Sequence, residues 1–135
     1  MDGWYLVTVD DTDTLLSTIL AYNNPFVLPQ FFTLDKKTGN LYQDSYVAVA
    51  SVDDYNGLSF QSGISKSDPT RLVCSVAAGG ILNCAQKSEN LSVFYGCLDE
   101  SGEEFPPALY FYPPDSESIV PFGCYAIQFR QMLAT

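Results

Sequence analysis

Histidine is absent from the 135 residues, and basic side chains are scarce: 6 Lys and Arg stand against 16 Asp and Glu, a formal charge of −10. Without an imidazole, Ser-His-Asp and Cys-His catalysis and every histidine metal site are excluded. The negative field repels phosphate backbones, which disfavours nucleic acid and anionic membrane surfaces as partners. No apolar run reaches the roughly 18 residues that a membrane-spanning helix requires. The opening MDGWYLVTVDD lacks the basic region, apolar stretch and small-residue cleavage site of a signal peptide. No G-x-S-x-G elbow and no G-x-G-x-x-G phosphate loop occurs. No catalytic set, cofactor site or metal site is therefore expected.

What the chain does hold is apolar and aromatic residues, at 47% and 14%, enough for a globular core and too many for a disordered chain. Its length fits one domain spanning 1–135. Tyr and Phe, 9 of each, favour strands. The rhythm is one of short apolar runs broken by turn residues. Strands are expected in WYLVTVD (4–10), on both sides of Asp35-Lys36-Lys37-Thr38-Gly39, in YVAVASV (46–52) before the Asn56-Gly57 turn signal, and in GLSFQSG. RLVCSVA, GILNCA, LSVFYGCL, ALYFY (108–112) and CYAIQFRQML follow. Pro106-Pro107 and Pro113-Pro114 bracket ALYFY, which marks it as a short or edge strand. One helix competes with this scheme. In 10–23 Asp13 is placed to cap, and Leu15, Leu16, Ile19 and Leu20 share a helical stripe, although Thr and Ile there also suit a strand. About nine or ten short strands give an all-β antiparallel sandwich or barrel. A β-trefoil is the rival, suggested by the single pattern Phe32-x-Leu34 … Gly39-x-Leu41, which that fold needs three times.

Four cysteines stand at 74, 84, 97 and 124. They form no close pairs of the kind a zinc site or a C-x-x-C redox motif requires, so two disulfides are expected. Hairpin geometry selects the pairing. If Ala78-Gly79-Gly80 is a three-residue loop, Ala77 pairs with Ile81, Val76 faces Leu82 and Cys74 faces Cys84. A two-residue loop would set Cys74 against Ala85 instead. Cys97 and Cys124 remain, tying SVFYGC to the last strand. Each bond stabilises by about 2–4 kcal/mol and belongs to an oxidising compartment. Asn90-Leu91-Ser92 is an N-glycosylation acceptor just before a strand. These signals together suggest an extracellular protein, with Met1 added to a mature fragment.

The acids Asp10, Asp11, Asp13, Asp53, Asp54, Glu103 and Glu104 are the only candidates for a glycosidase-like carboxylate pair, and their neighbours read as turns. DDTD (10–13) offers alternating oxygens to calcium but lacks the turn glycine and distal glutamate of an EF-hand. In ALYFY, Phe111 falls on one face and Tyr110 with Tyr112 on the other, a candidate ligand-facing pair if that face is open. Trp4 is expected as a core anchor.

Across residues 26–130, the run FFTLDKKTGNLYQ, a stretch ending GLSFQ, LVCSVAAGGILNC, SVFYGCL and GCYAIQF resembles a domain of fungal secreted proteins. Such proteins often carry Ser/Thr-rich stalks and glycolipid anchors at the cell wall. The shared pattern is Phe-x-Leu, Gly-x-Leu, C-x-V-x-G-G-x-L-x-C, F-x-x-C and a closing cysteine strand. The resemblance implies a β-rich extracellular module and supplies no catalytic residues. This chain departs from it in lacking a Ser/Thr-rich tail and in its acidic, Pro-rich insert 99–118.

The expected role is a secreted or cell-wall structural or adhesion module that binds a glycan or protein surface, itself included. A small carboxylate-based enzyme and a lectin-like or effector protein are the alternatives. Mass spectrometry of the unreduced chain tests the cysteine pairing. A mass four hydrogens below that of the reduced chain is expected, and four free thiols would contradict it.

Overall fold

The computed structural model describes residues 4–12, 15–22, 30–65, 67–97, 108–115, 119–120 and 123–131, the first two segments as backbone. The strands are β1 (Trp4–Thr12), β2 (Leu15–Tyr22), β3 (Thr33–Leu34), β4 (Leu41–Gln43), β5 (Tyr46–Ala50), β6 (Leu58–Gln61), β7 (Val73–Val76), β8 (Leu82–Ala85), β9 (Val93–Cys97), β10 (Ala108–Tyr112) and β11 (Cys124–Ile127). The fold is all-β, and its strands pair antiparallel in a nine-stranded sheet and a separate β7–β8 hairpin. Among the described residues no helix is long and apolar enough to cross a membrane.

Hydrogen-bonded neighbours can be followed around a closed circuit. β5 pairs with β6, and Gly57 at the head of β6 bridges Tyr110 of β10. There the Phe111 N–H donates to the Asn56 carbonyl at 2.8 Å. β10 pairs with β9 and β9 with β11. Beyond β11 the chain turns to β8: Leu82 N–H donates to the Phe129 carbonyl at 2.9 Å and Gln131 N–H to the Gly80 carbonyl at 2.7 Å. β8 pairs with β7, and the residues before β7 return to β5. Leu72 N–H donates to the Ala48 carbonyl and Ala50 N–H to the Thr70 carbonyl, both at 3.0 Å. The result is a small barrel, which leaves few unpaired edges. β2 enters where β6 and β10 diverge, pairing Leu15–Ser17 with β6 and Ile19 with β10, while β1 runs along the whole length of β2.

Period-2 alternation fills this barrel. Ala48 and Ala50, Leu58 and Phe60, Leu72 and Cys74, Cys84, Leu91, Phe94, Leu109 and Phe111 form one buried cluster, with Leu82, Ile127 and Phe129 packed against it. Alanines on β5 leave volume for the large rings of neighbouring strands. Phe94 lies 4.7 Å from Phe111 and meets Phe129 edge-on at 5.1 Å between ring centroids. Burying a ring of that size contributes about 1.5–3 kcal/mol. The Cys74–Cys84 disulfide is formed and lies inside the barrel wall, each half-cystine being buried.

The hairpin register is the one that the three-residue loop requires: Cys74↔Cys84, Val76↔Leu82, and Ala77 N–H donating to the Ile81 carbonyl at 2.8 Å. Gly79 and Gly80 take φ of 82° and 80°, the left-handed region that favours glycine. Elsewhere the structure departs from the sequence reading. The segment with the helical stripe is strand β2 over Leu15–Tyr22, because β1 offers it an antiparallel partner along its full length; the capping position Asp13 lies outside the described residues. ALYFY is short, yet it is no edge, since β10 is bonded on both sides. The turn expected at Asn56-Gly57 is present, with its left-handed positions on Tyr55 and Asn56. Among the described strands the circuit order β5-β6-β10-β9-β11-β8-β7 has no three-fold repetition, which distinguishes this barrel from a trefoil.

Gly39 joins the β3–β4 loop to the hairpin. Its φ is 78°, its carbonyl accepts the Cys74 N–H at 2.7 Å, and an added Cβ would come to 2.5 Å from Val73 Cγ1. Gly63 has a similar φ of 73° with open space around it. Gly63→Ala should cost about 1–2 kcal/mol, from backbone strain alone. Gly39→Ala should cost more by at least about 1 kcal/mol in urea unfolding. Equal losses would contradict the close docking of this loop on β7.

Candidate functional site

Strands β9 and β10 carry five aromatic side chains, Phe94, Tyr95, Tyr110, Phe111 and Tyr112, and are paired in full register, with Tyr110 opposite Tyr95, Tyr112 opposite Val93 and Ala108 opposite Cys97. Since Phe94, Leu109 and Phe111 point into the core, the alternate residues Tyr95, Tyr110 and Tyr112 share the outer face. Cys97 lies on that face too. Its disulfide to Cys124 is formed across the directly opposed positions of β9 and β11. One disulfide therefore lies within the core, and the other fastens the strands beneath the tyrosines.

The three rings form a cluster. Tyr95 and Tyr112 meet edge-on with centroids 5.6 Å apart, and Tyr110 and Tyr112 are tilted at 6.4 Å. Such contacts are worth about 0.5–1.5 kcal/mol each beyond the area they bury. Tyr95 is buried and forms the floor, whereas Tyr110 and Tyr112 are half-buried. Burial, and then the neighbouring Tyr110, push the Tyr112 phenol above its ordinary value. At neutral pH this hydroxyl is uncharged, and it can donate as well as accept a hydrogen bond. The face thus combines apolar rings with neutral polar tips. It suits stacking and hydrogen bonding rather than proton transfer.

Sequence reasoning had placed Tyr110 and Tyr112 together, and the structure brings them side by side. It missed Tyr95. The signal was present in Tyr95-Gly96-Cys97, because period 2 sets Tyr95 on the face of Cys97, but the unbroken apolar run SVFYGC hides which face is outward. Asp53 and Asp54 are exposed in a 3-10 turn over Val52–Asp54. Asp10 and Asp11 lie on β1, whose side chains are outside the described residues, as is the Trp4 side chain; Asp13, Glu103 and Glu104 lie outside them altogether. The calcium candidate at 10–13 falls in the same region. Among the described residues no group of acids or cysteines is arranged to hold a metal ion. Asn90 is exposed, in the turn between β8 and β9.

Polar side chains that sequence reasoning passed over hold the hairpin in place. Buried Gln86 donates to the Ala50 carbonyl at 2.9 Å and to Glu89 Oε1 at 2.8 Å, while its own oxygen accepts from Ser88 Oγ and Glu89 N–H at 2.8 Å. Arg71 donates to the buried Asn40 Oδ1 at 2.9 Å. Among the described residues every buried side-chain polar atom has a partner.

No family model matches the chain, and neither a curated protein nor a solved structure matches it.

Three carboxylates flanking the hairpin are held below their ordinary values. At Asp35 the cause is chiefly the Lys37 backbone N–H, and at Asp68 the Thr70 hydroxyl. At Glu89 partial burial pulls upward but is outweighed by hydrogen bonds from Gln86, Ser51 and Val52. A depressed carboxylate contributes stability that is present above its unfolded value, about pH 4, and is lost as the pH falls through the folded one. Stability should therefore decline below about pH 4, and Glu89→Gln should flatten that decline. Tyr112 has the opposite sign. Its contribution is present below the unfolded phenol value and is lost as the pH rises through the folded one. Urea midpoints across both pH ranges check these directions, and an acid limb that Glu89→Gln leaves unchanged would contradict the role given to Glu89.

Proposed function

We propose that this chain is an extracellular adhesion module, secreted or wall-associated, that holds a polysaccharide on the outer face of β9 and β10. The observation that carries this reading is the tyrosine cluster on that face, with Tyr95 as floor and the half-buried Tyr110 and Tyr112 above it. Flat rings pack against the apolar faces of sugars, and uncharged phenols bond their hydroxyls. The net charge of −10 favours neutral or amino sugars over acidic ones. Two formed disulfides agree with an oxidising compartment. The resemblance to fungal secreted domains supports the same surroundings.

Co-sedimentation with insoluble neutral, amino-sugar and acidic polysaccharides tests the reading, with size exclusion at several concentrations alongside. Binding to a neutral or amino polysaccharide is expected, weakened at least about tenfold (1.4 kcal/mol) by Tyr110→Ser with Tyr112→Ser, in a variant whose unfolding remains cooperative. Binding that survives both substitutions, or self-association without any sugar binding, would overturn it.

A further inference from the structure

The turn between β8 and β9 lies at one end of the tyrosine face and has properties of its own. Gln86 and Leu91 close it with reciprocal backbone hydrogen bonds, at 2.9 Å for Gln86 N–H to the Leu91 carbonyl and 3.0 Å for the reverse. Asn90 occupies the left-handed region, with φ of 57°, and is exposed. Among the described residues its carboxamide has no hydrogen-bond partner. Leu91 is wholly buried in the core, and Ser92 is exposed again. The tripeptide Asn90-Leu91-Ser92 thus runs outward, inward, outward. It is the one Asn-x-Ser/Thr match in the chain, the other asparagines, at 23, 24, 40, 56 and 83, lacking the hydroxyl residue two positions on.

We infer that Asn90 is an N-glycosylation site, modified once per chain; this rests on the secretory reading above. In the transfer, the Asn90 carboxamide nitrogen forms a bond to C1 of a lipid-linked oligosaccharide. The bond from C1 to the lipid pyrophosphate breaks, the pyrophosphate leaves with its electron pair, and the one proton lost by the amide is released to solvent. Nothing is oxidised or reduced. The fold accommodates the product, because the side chain that would carry the glycan points to solvent and gives up no internal bond. Leu91 anchors the turn below it. The glycan would stand at one end of the tyrosine face, since Ser92 N–H donates to the Tyr112 carbonyl at 2.8 Å.

The backbone supplies a separate structural reason for an asparagine here. A left-handed turn position tolerates Asn and Gly alike, so turn geometry alone would be met by Asn90→Gly. The serine is the discriminating residue: Ser92→Ala leaves Asn90 and the turn intact and removes only the acceptor sequence.

The test is secretion of the full chain, behind an added signal peptide, from a eukaryotic host, followed by intact mass and peptide-N-glycosidase digestion. One glycan is expected, removed by the enzyme with conversion of Asn90 to Asp, and absent from both Asn90→Gly and Ser92→Ala. A secreted, disulfide-bonded chain of bare polypeptide mass would overturn the glycan assignment while leaving the secretory reading in place. A glycan that persists in Ser92→Ala would also overturn it. A chain recovered with four free thiols would instead count against the secretory reading itself.

Discussion

The β7–β8 hairpin is bonded along both of its outer edges, and the rest of the barrel depends on that double attachment. On the β7 side the Gly39 carbonyl accepts from Cys74, and just upstream Ala48 accepts from Leu72. On the β8 side Leu82 and Gly80 exchange bonds with Phe129 and Gln131. Without the hairpin, the limb ending in β5 and β4 and the limb ending in β11 would be two open edges with an uncovered apolar interior between them. Leu72, Cys74, Cys84 and Leu82 supply the side chains that complete that interior. The first disulfide fixes the register of the segment on which closure depends, which is a larger role than its loop entropy alone would suggest.

Closure also sorts the aromatic residues. Once the alternate positions of β9 and β10 are committed to the barrel interior, Tyr95, Tyr110 and Tyr112 have only the outer face left to them. The second disulfide then holds β11 against β9 at Cys97, on the same face. Core and candidate binding surface are in this sense the two sides of one pair of strands. A substitution that moved the register of β10 by one residue would bury the tyrosines and expose Leu109 and Phe111.

Parts of this were legible in the amino-acid order, for reasons that are local. The cysteine hairpin could be read because a three-residue loop with its glycines and two opposed thiols admit one register between them. The faces of ALYFY could be read because alternation is strict there. Where both faces of a strand are covered, alternation disappears, and so Tyr95 in SVFYGC was missed. The segment around Leu15 to Leu20 has a spacing compatible with a helix, and only the distant partner β1 makes it a strand. The contacts that close the barrel, Val49 with Arg71, Gly57 with Tyr110 and Ile81 with Arg130, are isolated bridges, each with at least one partner outside a regular strand. No periodic pattern announces such contacts. Gln86 and Arg71 likewise look like ordinary surface residues until the hairpin docks and gives each a buried partner.

The central claim, that the hairpin is part of the barrel wall rather than a flap upon it, is tested most directly by native-state amide hydrogen exchange. The Leu72, Cys74 and Leu82 amides should exchange with the same opening free energy as core amides such as Phe111, because all of them open only when the barrel does. Exchange of those three amides through a separate opening of lower free energy, with the Phe111 amide still protected, would contradict the account.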